Sequence, residues 1–215
     1  MPRPAARRRP SPPDSRARLF AAAAELFSDR GFDGVGVDDI AHAAGLNKAM
    51  LYYHFDDKLA LYRAVVHDML QTVGDAVAAI AAAPLPADQR LASFVRQFVD
   101  LATERPWFPP LMLREIAEGA PHLDLQALGM MRTVFANFAR ILDDGHRDGR
   151  FRRVNPVLAY MSIVAPVLLN AARERAGAAP GRHDFPMFTL VPRTDLVHHM
   201  QQAALRLLAE EPTRP

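Results

Sequence analysis

The sequence predicts an all-α protein of about nine helices, on three observations. Apolar residues recur every three or four positions through segment after segment. No stretch alternates apolar and polar residues as a half-buried strand does, and no segment repeats. The helical segments are separated by Gly and Pro and opened by Asn or Asp, which are helix stop and start signals. With 215 residues, half of them hydrophobic, the chain can bury a real core.

From Asp14, residues Leu19, Ala22, Ala23, Leu26 and Phe27 form one apolar stripe, and Arg30-Gly31 closes it with a basic last turn and a glycine stop. A short helix follows over Val37 to Ala44, with Ile40, Ala41 and Ala44 inward and Gly45 ending it. Asn47 can cap a second short helix from Lys48 to His54, where Leu51 and Phe55 read as core. Asp56 or Asp57 caps a long fourth helix that runs to about Ala83, where "PLP" breaks it. Longer helical pieces are expected at about 88–104, 107–118, 122–147, 154–175 and 193–210, interrupted mainly by "ERPWFPP" and by residues 176–192.

Composition removes several classes of function. The chain has no cysteine, which excludes disulfides, thiol nucleophiles and Cys-based metal sites and fits a reducing cytoplasm. The longest apolar runs are cut by Asp75, Pro84, Pro166 or Asn170 well short of the ~20 residues of a membrane span. There is no HExxH, Gly-rich phosphate loop or nucleophile elbow. His198 and His199 are adjacent, so they project about 100° apart on a helix and make a poor metal pair. No enzyme, metal or cofactor is implied.

Net charge is only +2, but residues 1–18 carry six arginines against the single acid Asp14. The first 13 residues read as a disordered basic arm of the kind that lies along phosphates or in a minor groove. Both lysines of the chain, Lys48 and Lys58, fall in "GLNKAMLYYHFDDKLALY", together with three of its four tyrosines. Two short helices joined by "AAGLN" make a helix-turn-helix, whose second helix enters a major groove. Lys48 can donate to guanine or phosphate, and Ala49 and Met50 can meet thymine methyls. Tyr52, Tyr53, His54 and Lys58 carry groups suited to the phosphate backbone. Residues 30–58 hold three basic side chains against five aspartates, so affinity must lean on a few placed contacts, dimerisation and the arm.

Over residues 16–66 the chain closely resembles the tetracycline-repressor (TetR) family of bacterial regulators. "LFSDRGF", "IAHAAG" and "LYYHFDDKLAL" stand in the family's order and spacing. The resemblance implies a helix-turn-helix DNA-binding domain over 14–60 and a helical ligand-binding and dimerisation domain over 61–215. It implies Lys48, Ala49, Met50 and Tyr53 as base-facing residues, and Asn47, Tyr52, His54 and Lys58 as phosphate contacts. One departure is Gly36, where the family usually carries a Ser or Thr; its backbone N–H can still meet a phosphate, but a hydroxyl contact is lost. The implied function is a repressor released from double-stranded operator DNA by a small effector.

The remaining helices offer partner surfaces. Leu158 and Leu168 on one helix, and Leu196, Met200, Ala204 and Leu207 on the last, suit a two-fold four-helix interface between identical subunits. Trp107, Phe108, Met112, Met131, Phe135, Phe138, Met161 and Phe188 suit an adaptable apolar pocket. Arg114, His122, Asn170 or Tyr160 are available to orient a polar group there. The rival reading keeps the DNA-binding unit and gives the body a protein partner instead of an effector. A well-formed pocket favours the effector; a collapsed core beside an exposed apolar patch favours the adaptor.

Overall fold

The computed structural model describes residues 12–178 and 190–209; most of the basic arm, residues 1–11, and Phe188 lie outside them. Among the described residues there are nine helices and no strand: α1 (Pro12–Arg30), α2 (Val37–Ala43), α3 (Lys48–His54), α4 (Lys58–Ala82), α5 (Ala87–Glu104), α6 (Phe108–Ala117), α7 (Leu125–Arg147), α8 (Pro156–Gly177) and α9 (Arg193–Leu208). The chain divides into two compact units, Met1–Val65 and Val66–Pro215.

In the first unit α1, α2 and α3 pack on one another around Leu19, Phe27, Ile40 and Leu51, with Leu61, Tyr62 and Val65 from the start of α4. The rings of Phe27 and Phe32 both meet Tyr62, at 5.0 and 5.3 Å. The turn between α2 and α3 depends on Gly45, at φ 63°, a left-handed conformation that side chains resist. It closes α2 with two backbone bonds, Gly45 N–H to His42 O and Leu46 N–H to Ala41 O, the Schellman pattern. Asn47 Oδ1 then accepts from the Met50 N–H at 3.0 Å, the cap that the sequence predicts for α3. Asp57 does the same for α4, through Ala60 N–H at 2.7 Å.

The second unit is a helical bundle in which α5 packs against α7, α8 and α9, and α8 also packs on α6, α7 and α9. Its core is aromatic: Phe94 lies 4.7 Å from Phe98 and 4.8 Å from Phe138. Buried Arg90 ties three helices together, donating to Ala81 O at 2.9 Å and to Asp144 Oδ2 at 2.7 Å. That hydrogen bond, more than any other influence, holds the Asp144 carboxyl below the ordinary carboxylate range. At Gly145 an added Cβ would meet the buried Phe151 ring at 2.1 Å, so only glycine admits that ring.

Among the described residues α8 is long and apolar enough to cross a membrane by length and composition. Its apolar excess lies partly on an exposed face: Val157, Leu158, Met161 and Leu169 are each more than half exposed. The opposite face, with Ala159, Ile163, Val164 and Val167, is buried in the bundle.

Candidate nucleic-acid interface and ligand cavity

Helix α3 turns one face into its unit and leaves the other open. Leu51 and the following Phe55 are buried, whereas Asn47, Lys48 and Ala49 are exposed and Met50 is half-buried. Tyr52 is 51 % exposed and Tyr53 70 %, unusual for rings with this much apolar surface. The structure therefore gathers Asn47, Lys48, Ala49, Met50, Tyr52 and Tyr53 on a single short helix fixed by a cap at one end and buried Leu51 in the middle.

The other expected contacts are already engaged within the unit. His54 Nε2 lies 2.7 Å from the buried Ser15 Oγ, pinning the end of α3 to α1. Lys58 Nζ donates to the carbonyls of Phe32 and Val35, both at 3.0 Å, and sits 4.0 Å from the centre of the Phe32 ring. The Gly36 N–H donates to Asp39 Oδ2 at 2.8 Å, so the aspartate takes the hydrogen a phosphate would otherwise take. Lys48 Nζ donates to Asp38 Oδ2 at 3.0 Å on the exposed surface. That bond raises the lysine's pKa above its ordinary value and keeps it charged. Ser15 and Asp38 were not legible as site residues, because each acts through a partner far along the chain or on another helix. Arg18 was missed for the same reason: its Nη2 donates to Gly45 O at 3.3 Å and steadies the turn.

In the second unit a cavity of about 430 Å³ opens between α4, α5, α6, α7 and α8. Phe108, Met112, Met131, Phe135 and Met161 line it, as the sequence expects, and so does Leu168, which was expected at a subunit interface. Phe138 is sealed in the core, and Trp107 is half-buried; neither is among the lining residues. The sequence did not single out Leu70, Val73, Phe98 or Val164, whose apolar side chains look the same whether they face a core or a cavity. Among the described residues, only Tyr160 and Arg132 bring polar side-chain groups to the lining. Burial pushes the Tyr160 hydroxyl pKa up to about 12, so it remains a hydrogen-bond donor across the physiological range.

Of the other polar candidates, His122 is paired with the buried carboxylate of Glu115 at 2.7 Å. Asn170 donates to Glu174 Oε1 at 3.0 Å and lines a second groove of about 580 Å³, together with Glu174, Arg193 and Leu196. Arg114 is half-buried and lines neither. The expected interface residues also separate. Leu158 is exposed, but Met200 and Ala204 are buried within the single chain, where α9 packs on α5 and α8, and Leu168, Leu196 and Leu207 are half-buried. A 3.6-residue stripe marks a face that needs covering and does not say whether the cover is the same chain or another.

Comparison with known proteins agrees with this division. Residues 19–65 match the model for bacterial regulatory proteins of the tetR family. Residues 88–179 match the model for the tetracyclin repressor-like C-terminal domain. The HTH-type transcriptional activator FasR of Mycolicibacterium smegmatis is 38 % identical over 87 residues, 40 % of this chain and 40 % of FasR. The negative transcriptional regulator IcaR of the Staphylococcus aureus biofilm operon icaADBC is 50 % identical over 45 residues, 21 % of this chain and 24 % of IcaR. The chain thus spans less than half the length of these curated relatives. The solved ketosteroid transcriptional regulator KstR2 of Mycobacterium tuberculosis superposes with a TM-score of 0.74 over 91 % of this chain and 95 % of its own; at 18 % identity this shows a shared fold. With the N-terminal and C-terminal models both matched in order, the chain belongs to the TetR family of bacterial regulatory proteins.

Proposed function

We propose that the protein is a sequence-specific transcriptional regulator, a repressor that leaves its operator when a small, largely apolar effector fills the 430 Å³ cavity. The single observation that carries this reading is the pairing of an exposed, capped recognition helix with an apolar cavity in a separate unit. In the regulator Lys48, Ala49, Met50 and Tyr53 face base edges, while Asn47 and Tyr52 meet phosphates. His54 and Lys58 hold the reading helix and its neighbouring loop in place.

The protein acts as a homodimer in the cytoplasm and carries no enzymatic activity of its own. Two recognition helices about one DNA turn apart, ~34–36 Å, are needed to read a palindromic site. The exposed α8 face of Val157, Leu158, Met161 and Leu169 supports a second copy as its cover. A cavity of this size also weighs against the adaptor reading, which expects a collapsed core.

An effector releases DNA only if it binds the DNA-free arrangement better than the DNA-bound one, and the two ligands then weaken each other by the same factor. The test is fluorescence anisotropy of labelled upstream intergenic DNA with the full chain, titrated with apolar compounds that bind the free protein. Release at concentrations that saturate the free protein is expected. Simultaneous binding with neither weakened would overturn the effector model.

A further inference from the structure

The interior of the cavity shows one polar side-chain group held ready in an otherwise apolar wall. Tyr160 projects from α8, and its ring is packed edgewise by four phenylalanines. Phe94 and Phe98 lie at 6.3 Å, Phe135 at 5.8 Å and Phe138 at 5.4 Å, with interplanar angles from 61° to 89°. These rings come from α5 and α7, so the phenol is fixed from two sides. Its hydroxyl makes no hydrogen bond among the described residues, and it is open to the cavity rather than sealed in the core.

A lone water satisfies such a group poorly. A buried water needs two to four polar partners, and the lining here offers one hydroxyl. Arg132 is the other polar residue of the lining, but it is exposed, so its guanidinium is solvated. The lining therefore holds no buried charge to balance an ionised ligand, and desolvating one there is costly. At interior packing density of about 0.75, the volume accommodates roughly 20 non-hydrogen atoms.

Resting on the reading of this cavity as the effector site, we infer that Tyr160 is its specificity-determining residue. It selects an apolar body of this size that carries a neutral hydrogen-bond acceptor, such as a ketone, ester or thioester oxygen, over both the bare hydrocarbon and the carboxylate. The phenol donates its hydrogen to that oxygen, and the phenylalanine collar sets where on the ligand the oxygen must lie. The raised pKa agrees with this role, since the phenol stays protonated.

The experiment compares fluorene, 9-fluorenone and fluorene-9-carboxylate, rigid bodies of similar outline that differ at one position. Binding is measured by calorimetry or ligand fluorescence on the full-length protein and on Tyr160→Phe. The wild type is expected to favour fluorenone over fluorene by about 3- to 10-fold, the range of one neutral hydrogen bond, with the carboxylate weakest. In Tyr160→Phe the fluorenone preference disappears while fluorene affinity stays within about twofold, which also shows the variant folded. An unchanged fluorenone-to-fluorene ratio in Tyr160→Phe, or tightest binding of the carboxylate, would overturn the assignment to Tyr160 and leave the cavity reading standing. Failure of all three to bind the wild type would overturn the effector cavity and this inference with it.

Discussion

Lys48 Nζ and Asp38 Oδ2 lie 3.0 Å apart, joining the first residue of α3 to the first turn of α2. The foremost cation of the reading helix is therefore partly neutralised before DNA arrives, and an approaching phosphate must compete with the aspartate. Both side chains are at least half exposed, so the exchange costs little. Asp38→Asn is expected to tighten operator binding by about twofold to fivefold at low salt. Anisotropy titrations at two salt concentrations check it; weaker binding would mean that Asp38 places Lys48 rather than restrains it.

Lys58 illustrates the opposite case, a cation whose partners are all internal. Its ammonium satisfies two carbonyls of the 32–35 loop and lies over the Phe32 ring. Lys58→Met should destabilise the N-terminal unit by about 2 kcal/mol, the scale of charged hydrogen bonds. The salt dependence of DNA binding, measured well below the melting transition, should stay as in the wild type. A slope reduced by about one ion per subunit would instead identify Lys58 as a phosphate contact.

In the second unit the Arg90–Asp144 pair should dominate acid sensitivity. Asp144 has its pKa lowered from an ordinary 3.8. Its contribution is therefore complete above that value and is lost as pH falls below it toward the depressed folded-state value. Asp144→Asn strands the buried guanidinium and is expected to cost about 3 kcal/mol at neutral pH. Denaturant midpoints from pH 2 to 7 should show this segment of the acid loss missing in the variant.

The exposed α8 face gives a separate prediction about assembly. Leu169 is 63 % exposed in the single chain, so Leu169→Glu should leave the melting temperature of a folded subunit almost unchanged. Buried at a two-fold interface, the same carboxylates would face an apolar surface and each other. Analytical ultracentrifugation should find monomers, with operator affinity lower by at least about tenfold. A variant that remains dimeric would move the interface away from this face.

Much of this was written locally in the chain. Gly31, Gly45, Asn47 and Asp57 punctuate the first unit by backbone and cap chemistry that acts within three to five residues, and the helix-turn-helix was legible for that reason. Contacts made over distance were not. Lys58 reaches back 26 residues to Phe32 O, and Ser15 reaches 39 residues to His54. Met200 and Ala204 lie on the stripe that the sequence offered to a partner, yet they are buried within the single chain, where α9 packs on α5 and α8. Among the aromatic and sulfur side chains, Phe108 and Met112 reached the cavity and Trp107 did not, because position on a helix decides this and composition cannot.

Whether α3 reads DNA sequence is decided by comparing two duplexes. The full-length protein, Lys48→Ala and Tyr53→Ala are titrated with the chain's own upstream intergenic DNA and with a scrambled duplex, at 50 and 200 mM salt. Saturable nanomolar binding to the upstream DNA alone is expected, weakened by about 1–3 kcal/mol per lost base contact. Equal affinity for both duplexes, with a steep salt dependence and no effect of either substitution, would rule out sequence reading by α3 and assign the binding to non-specific charge.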